Sequence, residues 1–275
     1  MQIVRLLALL SLSAAAAASA GAPIPTETAR TAILTEPQPS WFLALDYGGA
    51  AYLFDGADGE VKGTISHSGY TTAIVTLPSR KEAYLVDSYY SRLVRGTRTD
   101  VLTVVDMTNL TTKAEIQLPA KTATLLIRGH IGLLKDERHV AVFNMTPAQS
   151  VSIVDVVERK FVGEISTAGC AIIMPVEVSS FLMLCGDGTV QLIRLGADGA
   201  EVGRQRSKSF FDVNKDPVFS EVVYTGTGWL LATHNGSVRE VRLIAELTRK
   251  RNEAIDERWR QRRPDSGSEL RFHRG

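Results

Sequence analysis

The chain has 275 residues, of which 44% are hydrophobic and 22% charged, with a formal net charge of +1. That composition is ordinary for a globular protein and long enough to bury a sizeable core in one or two domains. The balanced charge excludes the broad basic field that holds nucleic acid.

Residues 1–20 read as a secretory signal peptide. Arg5 gives the positive start, Leu6 to Leu12 an apolar run, and Ala18-Ser19-Ala20 a small-residue cleavage site. An uncleaved anchor helix is the other reading, but the run is short against the roughly 20 residues of a bilayer span. Export sets the expected compartment, the periplasm. Residues 21–40, with Pro23, Pro25, Pro37 and Pro39, read as an extended N-terminal arm. No later stretch is apolar enough to suggest a membrane role.

A repeat begins after the arm. Ala51 to Asp55, Val101 to Asp106 and Val151 to Asp155 are apolar strands ending in aspartate. Each is followed by a polar turn and a second strand, carrying Ile65, Ile116 and Ile165. Asp55 to Asp106 spans 51 residues and Asp106 to Asp155 spans 49, and the three isoleucines keep the same intervals. Val190 to Leu195 and Val238 to Leu243 repeat the strand 48 residues apart. Turns at Asp58-Gly59, Asp187-Gly188 and Asn235-Gly236 punctuate the runs. A period of roughly 40–50 residues with several strands in each is the signature of propeller blades, because one small sheet cannot bury both of its faces alone. The expected fold is all-β, a propeller over residues 41–244 with about five blade repeats. Residues 245–275 break the pattern and read as a charged, helical and then disordered tail.

The two cysteines, Cys170 and Cys185, flank a pair of apolar runs with Pro175 to Ser180 between them. An even count in an exported chain suggests a disulfide, with two buried free thiols as the alternative. Chemistry is harder to find. His67, His130, His139, His234 and His273 have no metal-ligand spacing and read as turn or surface residues. Asp212, Asn214 and Asp216 open like a calcium loop, but Pro217 stands where glycine is needed and Val223 where glutamate is needed. No catalytic, metal-binding or cofactor-binding residue emerges, which favours a scaffold or binding role over a self-contained enzyme.

The segments between the repeats are more specific. Tyr90 to Asp100, Phe143-Asn144-Met145-Thr146-Pro147-Ala148, the stretch from Cys170 to Cys185 followed by Asp187-Gly188, and Phe210-Phe211-Asp212 with Asp216 to Phe219 occur in one order. Together, over about Ser40 to Leu243, they resemble the heavy chain of methylamine and aromatic amine dehydrogenases. The resemblance implies a seven-bladed propeller and a Cys170–Cys185 disulfide hairpin. It implies a large subunit without a cofactor of its own. The partner is a light chain carrying tryptophan tryptophylquinone, in a heterotetramer of two heavy and two light chains. The implied reaction is oxidative deamination of primary amines to aldehyde and ammonia, with electrons passing to a periplasmic copper protein or cytochrome. Trp41, Trp229 and Trp259 are then not cofactor precursors. Tyr70, in Ser68-Gly69-Tyr70, falls where the family carries an aromatic ring lining the substrate channel; packing at a blade edge is the other reading. Seven blades at this period need about 350 residues, so the resemblance implies an incomplete propeller, through truncation, a frameshift or a divergent short form. An orphan propeller acting as a binding module without enzyme activity is the alternative function.

Overall fold

A computed structural model of the chain describes residues 33–243, apart from 35 and 72. The expected signal peptide, the expected arm as far as residue 32 and the expected charged tail lie outside the described residues.

The described residues form eighteen strands in five antiparallel sheets, each a simple up-and-down meander. Blade 1 holds β1 (Trp41–Leu45), β2 (Ala50–Asp55) and β3 (Val61–Ser66). Blade 2 holds β4 (Ile74–Leu77), β5 (Glu82–Arg92), β6 (Arg95–Asp106) and β7 (Thr111–Leu118). Blade 3 holds β8 (Ile131–Leu133), β9 (His139–Asn144), β10 (Ser150–Asp155) and β11 (Lys160–Ser166). Blade 4 holds β12 (Cys170–Pro175), β13 (Ser180–Cys185), β14 (Val190–Leu195) and β15 (Glu201–Arg206). Blade 5 holds β16 (Val218–Tyr224), β17 (Trp229–Thr233) and β18 (Val238–Val241). Among the described residues the fold is the expected all-β propeller arrangement, with five blades. No described helix is long and apolar enough to cross a membrane.

The sequence pattern explains the stacking. A sheet covered on one face reads as alternating apolar and polar residues; one covered on both reads as a continuous apolar run. Every residue of β9, β10 and β13 is buried. Along β9, Val140 and Val142 enter a core with Tyr84, Val86 and Leu102 of blade 2. Ala141 and Phe143 point the other way, into a core with Ile173, Phe181 and Met183 of blade 4. Blades 1 and 2 share a seam around Leu53, Leu85 and Val105, and blades 4 and 5 share one around Leu182, Leu192 and Leu231. Each large aliphatic side chain fully buried in a seam contributes roughly 1.5–3 kcal/mol. The outermost strand of a blade has one exposed face, so β15 is Glu-Val-Gly-Arg-Gln-Arg and mostly solvated.

The repeating aspartate is a turn former. Asp55, Asp106 and Asp155 each accept, through Oδ1, the backbone N–H two residues later, at 2.8–3.0 Å. This local bond closes the turn into the next strand. Just before it, the ladder shifts by one residue at Leu53/Phe54, Val104/Val105 and Ile153/Val154, and blade 4 has a shift at the last pair of β14, Arg194/Leu195. A bulge at the same place in blades 1, 2 and 3 bends each outer strand alike.

Cys170 and Cys185 pair across β12 and β13 and are joined as a disulfide, with Cα atoms 3.9 Å apart. The histidine expectation is only partly met. His234 is exposed and stacks on Phe219, but His130 and His139 are buried, at 3% and 1% exposure. His130 lies against Phe143 in the blade 3–4 region, and burial pushes its pKa down to about 4. His139 faces a seam at the start of β9 and is held by Asp136 at 2.7 Å through Nδ1. A polar residue flanking an apolar run is carried inside when both faces of the strand are covered.

Candidate functional site

No group of three or more metal-ligating side chains comes together among the described residues. The near-calcium loop is closed by its own groups: Asp212 Oδ1 accepts from Asn214 N at 2.9 Å, and Asp216 Oδ1 accepts from Asn235 N at 2.9 Å. A cavity of about 520 Å³ opens beside β1 and β4, lined by Trp41, Leu43, Ile74 and Met107 and by the charged residues Lys81, Glu82, Arg128 and Glu221.

The richest polar construction lies at the end of blade 2 from which the β5–β6 hairpin projects. These two strands run to 11 and 12 residues, about twice the length of the other blade strands. The extra length forms a two-stranded ribbon whose tip, Leu93 and Val94, is 88% and 63% exposed. Where the ribbon leaves the blade, the sequence places carboxylates at the ends of apolar runs, Asp87 after Ala83 to Val86 and Asp100 before Val101 to Val105, and the alternation of β5 sends their networks to opposite faces.

Asp87 follows Leu85 towards blade 1. It is 1% exposed and accepts from Ser68 N at 2.9 Å, from Thr71 Oγ1, and from Thr103 Oγ1 at 2.8 Å. Ser88 turns the other way. Its hydroxyl donates to Asp100 Oδ1 at 2.9 Å, and Asp100 is fully buried. Arg98 reaches Asp100 with Nε at 2.7 Å and Nη2 at 2.8 Å, a two-pronged pair. Thr122 adds its N–H at 2.9 Å and its hydroxyl at 2.6 Å. The loop after blade 2 is thereby fastened to the ribbon base. Burial works against the Arg98 charge, but its bonds to Asp100 outweigh that and raise the pKa. Tyr89 stands beside Asp87, and partial burial with that nearby charge pushes its phenol up to about 12. In blade 3 the equivalent corner is neutral: Asn144 Nδ2 donates to Ser150 and Ser152 hydroxyls at 3.0 and 2.9 Å.

Tyr70 lies in the loop between β3 and β4, half-buried, at this same end. Its ring meets Tyr90 of the ribbon edge-on, with centroids 5.4 Å apart. Its backbone N–H donates to Ser68 Oγ at 3.3 Å. Tyr47, 82% exposed, comes from the neighbouring β1–β2 turn, which Gly49 O ties to His67 N at 2.9 Å. The structure therefore brings Tyr70 together with the Tyr90 to Asp100 segment that carries part of the resemblance. Cys170 and Cys185 sit apart, in blade 4. Reading the sequence missed Asp87, Asp100 and Arg98. The available signal was a carboxylate at the end of an apolar strand run, Leu85-Val86-Asp87, which must be hydrogen-bonded if the run is buried.

A family model described as methylamine dehydrogenase heavy chain matches residues 37–268. Among curated proteins, the chain is 24% identical over 195 residues to the methylamine dehydrogenase heavy chain of Methylophilus methylotrophus, covering 70% of this chain and 47% of that one. It is 25% identical over 198 residues to that of Methylorubrum extorquens, covering 71% and 48%. The chain thus spans about half the length of the curated relatives it matches. Among solved structures, dihydro-heme d1 dehydrogenase NirN in complex with DHE superposes with a TM-score of 0.50 at 19% identity. That likeness covers 79% of this chain and 45% of the other, and concerns the fold alone.

Proposed function

Because the chain belongs to the methylamine dehydrogenase heavy chain family, we propose that it is the large, cofactor-free subunit of a periplasmic quinoprotein amine dehydrogenase. The observation that carries this reading is the family match across residues 37–268. The partner is a light chain, in an assembly of two heavy and two light chains, with a periplasmic copper protein or cytochrome accepting the electrons. The light chain's tryptophan tryptophylquinone supplies the oxidation of a primary amine to aldehyde and ammonia.

The residues of this chain fit a supporting part. Trp41 and Trp229 stand in blades 1 and 5, and each indole N–H is already committed, to Asp55 Oδ2 at 3.0 Å and to Pro175 O at 3.0 Å. On this reading neither tryptophan is a quinone precursor. The chain's share is to present a rigid blade end to the light chain and to wall the approach to the quinone. Tyr70, half-buried against Tyr90, is the ring we assign to that wall. A ring there discriminates amines by fit and needs no chemistry of its own.

The test is co-expression of the full chain, affinity-tagged, with a methylamine dehydrogenase light chain. The expected result is co-purification of the quinone-bearing light chain and amine-dependent reduction of a redox dye. A folded chain that captures no light chain would overturn the subunit reading and leave a binding module.

A further inference from the structure

Ser68 to Thr71 form a four-residue turn, closed by Thr71 N donating to Ser68 O at 3.2 Å, with Gly69 and Tyr70 at its centre. Both ends of the turn are tied to one oxygen atom. Ser68 N donates to Asp87 Oδ1 at 2.9 Å, and Thr71 Oγ1 donates to the same oxygen. The other carboxylate oxygen is held from the sheet side by Thr103 Oγ1 at 2.8 Å. A second clasp runs through Ser68 Oγ, which accepts from Ser88 N at 3.2 Å and from Tyr70 N at 3.3 Å.

A carboxylate as deeply buried as Asp87 is costly unless hydrogen bonds replace its water. Two of the three bonds named come from the turn that carries Tyr70, on either side of it. Both Asp87 oxygens are pure acceptors when ionised, whereas an asparagine would turn an NH₂ donor against one of these donors. We infer that Asp87 is the positioning residue for Tyr70: its carboxylate closes the 68–71 turn, fixes where the ring stands against Tyr90, and thereby helps set which amines pass. The selectivity part rests on the role proposed above for Tyr70; the positioning part does not.

Two single variants separate positioning from general stability. Thr71→Val and Thr103→Val each delete one hydroxyl contact to Asp87, but only the first touches the turn, where Thr71 Oγ1 also lies 2.9 Å from Ser68 O, so the variant at the carboxylate itself isolates the contribution of Asp87. Asp87→Asn is the third variant. In the full chain, amide hydrogen exchange at Ser68 and Tyr70 should quicken by about tenfold or more in Thr71→Val and Asp87→Asn, on the scale of a lost bond to a charged group. Thr103→Val should leave those amides unchanged while lowering Tm comparably. In the complex with a light chain, Thr71→Val should move the kcat/KM ratio between a short and a long primary amine in the direction that Tyr70→Ala moves it, and Thr103→Val should not.

Unchanged exchange in Thr71→Val, or equal exchange in the two threonine variants, overturns the inference. So does a ratio moved by Tyr70→Ala but not by Thr71→Val. If exchange responds as expected while neither Tyr70→Ala nor Thr71→Val moves the ratio, the positioning stands and the channel role of Tyr70 falls. If Asp87→Asn does not fold, the threonine pair still overturns the inference when Thr71→Val leaves the exchange unchanged or equal to that of Thr103→Val.

Discussion

At the scale of single residues, the buried carboxylates divide into those met by neutral donors and those met by cations. Glu82 is the second kind. It is 2% exposed, Lys113 reaches it at 2.9 Å, Arg159 of blade 3 bonds the same oxygen, and Tyr84 donates to its other oxygen at 2.7 Å. Burial alone would raise its pKa; the bonds from Arg159 and Lys113 outweigh that and hold it at about 2. A carboxylate depressed in the folded state adds stability that is complete above its unfolded pKa, near 4.5, and is lost as pH falls towards 2. Glu82→Gln should therefore lower stability by roughly 1–3 kcal/mol at pH 7, with the deficit shrinking below pH 4. Urea unfolding at both pH values checks this, and a constant deficit would contradict it. For Tyr70, truncation to alanine should shift the relative kcat/KM of short and long amines in the assembled enzyme and leave the yield of folded chain unchanged. A flat ratio across an amine series would return the ring to a packing role. Neither pairing was legible in the sequence. Arg159 lies 77 residues from Glu82 and reaches it only because blade 3 stacks on blade 2, whereas the turn-forming Asp55, Asp106 and Asp155 act within their own neighbourhood and recur visibly.

At the scale of elements, strands and turns were the most legible part. Runs such as Val151 to Asp155 are apolar throughout because both faces of the blade are covered, and the Asp187-Gly188 turn closes with Gly188 at a φ of 80°. What escaped the sequence was irregular geometry. Ile172 stands at a φ of 64°, where the β12–β13 register slips, and nothing in Cys170 to Met174 announces it. The bridged hairpin also yields an expected outcome. A 15-residue separation between Cys170 and Cys185 corresponds to roughly 3 kcal/mol in the chain-entropy account of a closed loop. Thiol titration of the denatured, unreduced chain should find no free cysteine. Reduction should then lower the unfolding midpoint, and an unmoved midpoint would show that the paired strands hold without the bridge.

At the scale of the whole molecule, the two end blades carry apolar residues turned away from their neighbours. On blade 1, Trp41, Leu43 and Leu45 pack towards blade 2, while Phe42 is 52% exposed and stacks on Phe54 at 5.4 Å. On blade 5, Val222 and Leu231 pack inward, and Phe219 and Val223 remain 45% and 58% exposed. Apolar sheet faces of this kind promote association. The purified chain should therefore self-associate in sedimentation experiments, and Phe42→Lys combined with Val223→Lys should shift it towards monomer without lowering Tm. An unchanged distribution would place the contact elsewhere. The inward-facing seams have a different consequence. Blades 2, 3 and 4 each share seams with two neighbours, blades 1 and 5 with one each among the described residues, so the stack behaves as a chain of nearest-neighbour couplings. Among the described residues, such a chain unzips from blades 1 and 5, which have one seam each. Val142 and Phe143, adjacent in sequence but committed to opposite seams, make blade 3 the rivet of the array. Under mild denaturant, a protease should cut within blades 1 and 5 well before it cuts between His139 and Asp155.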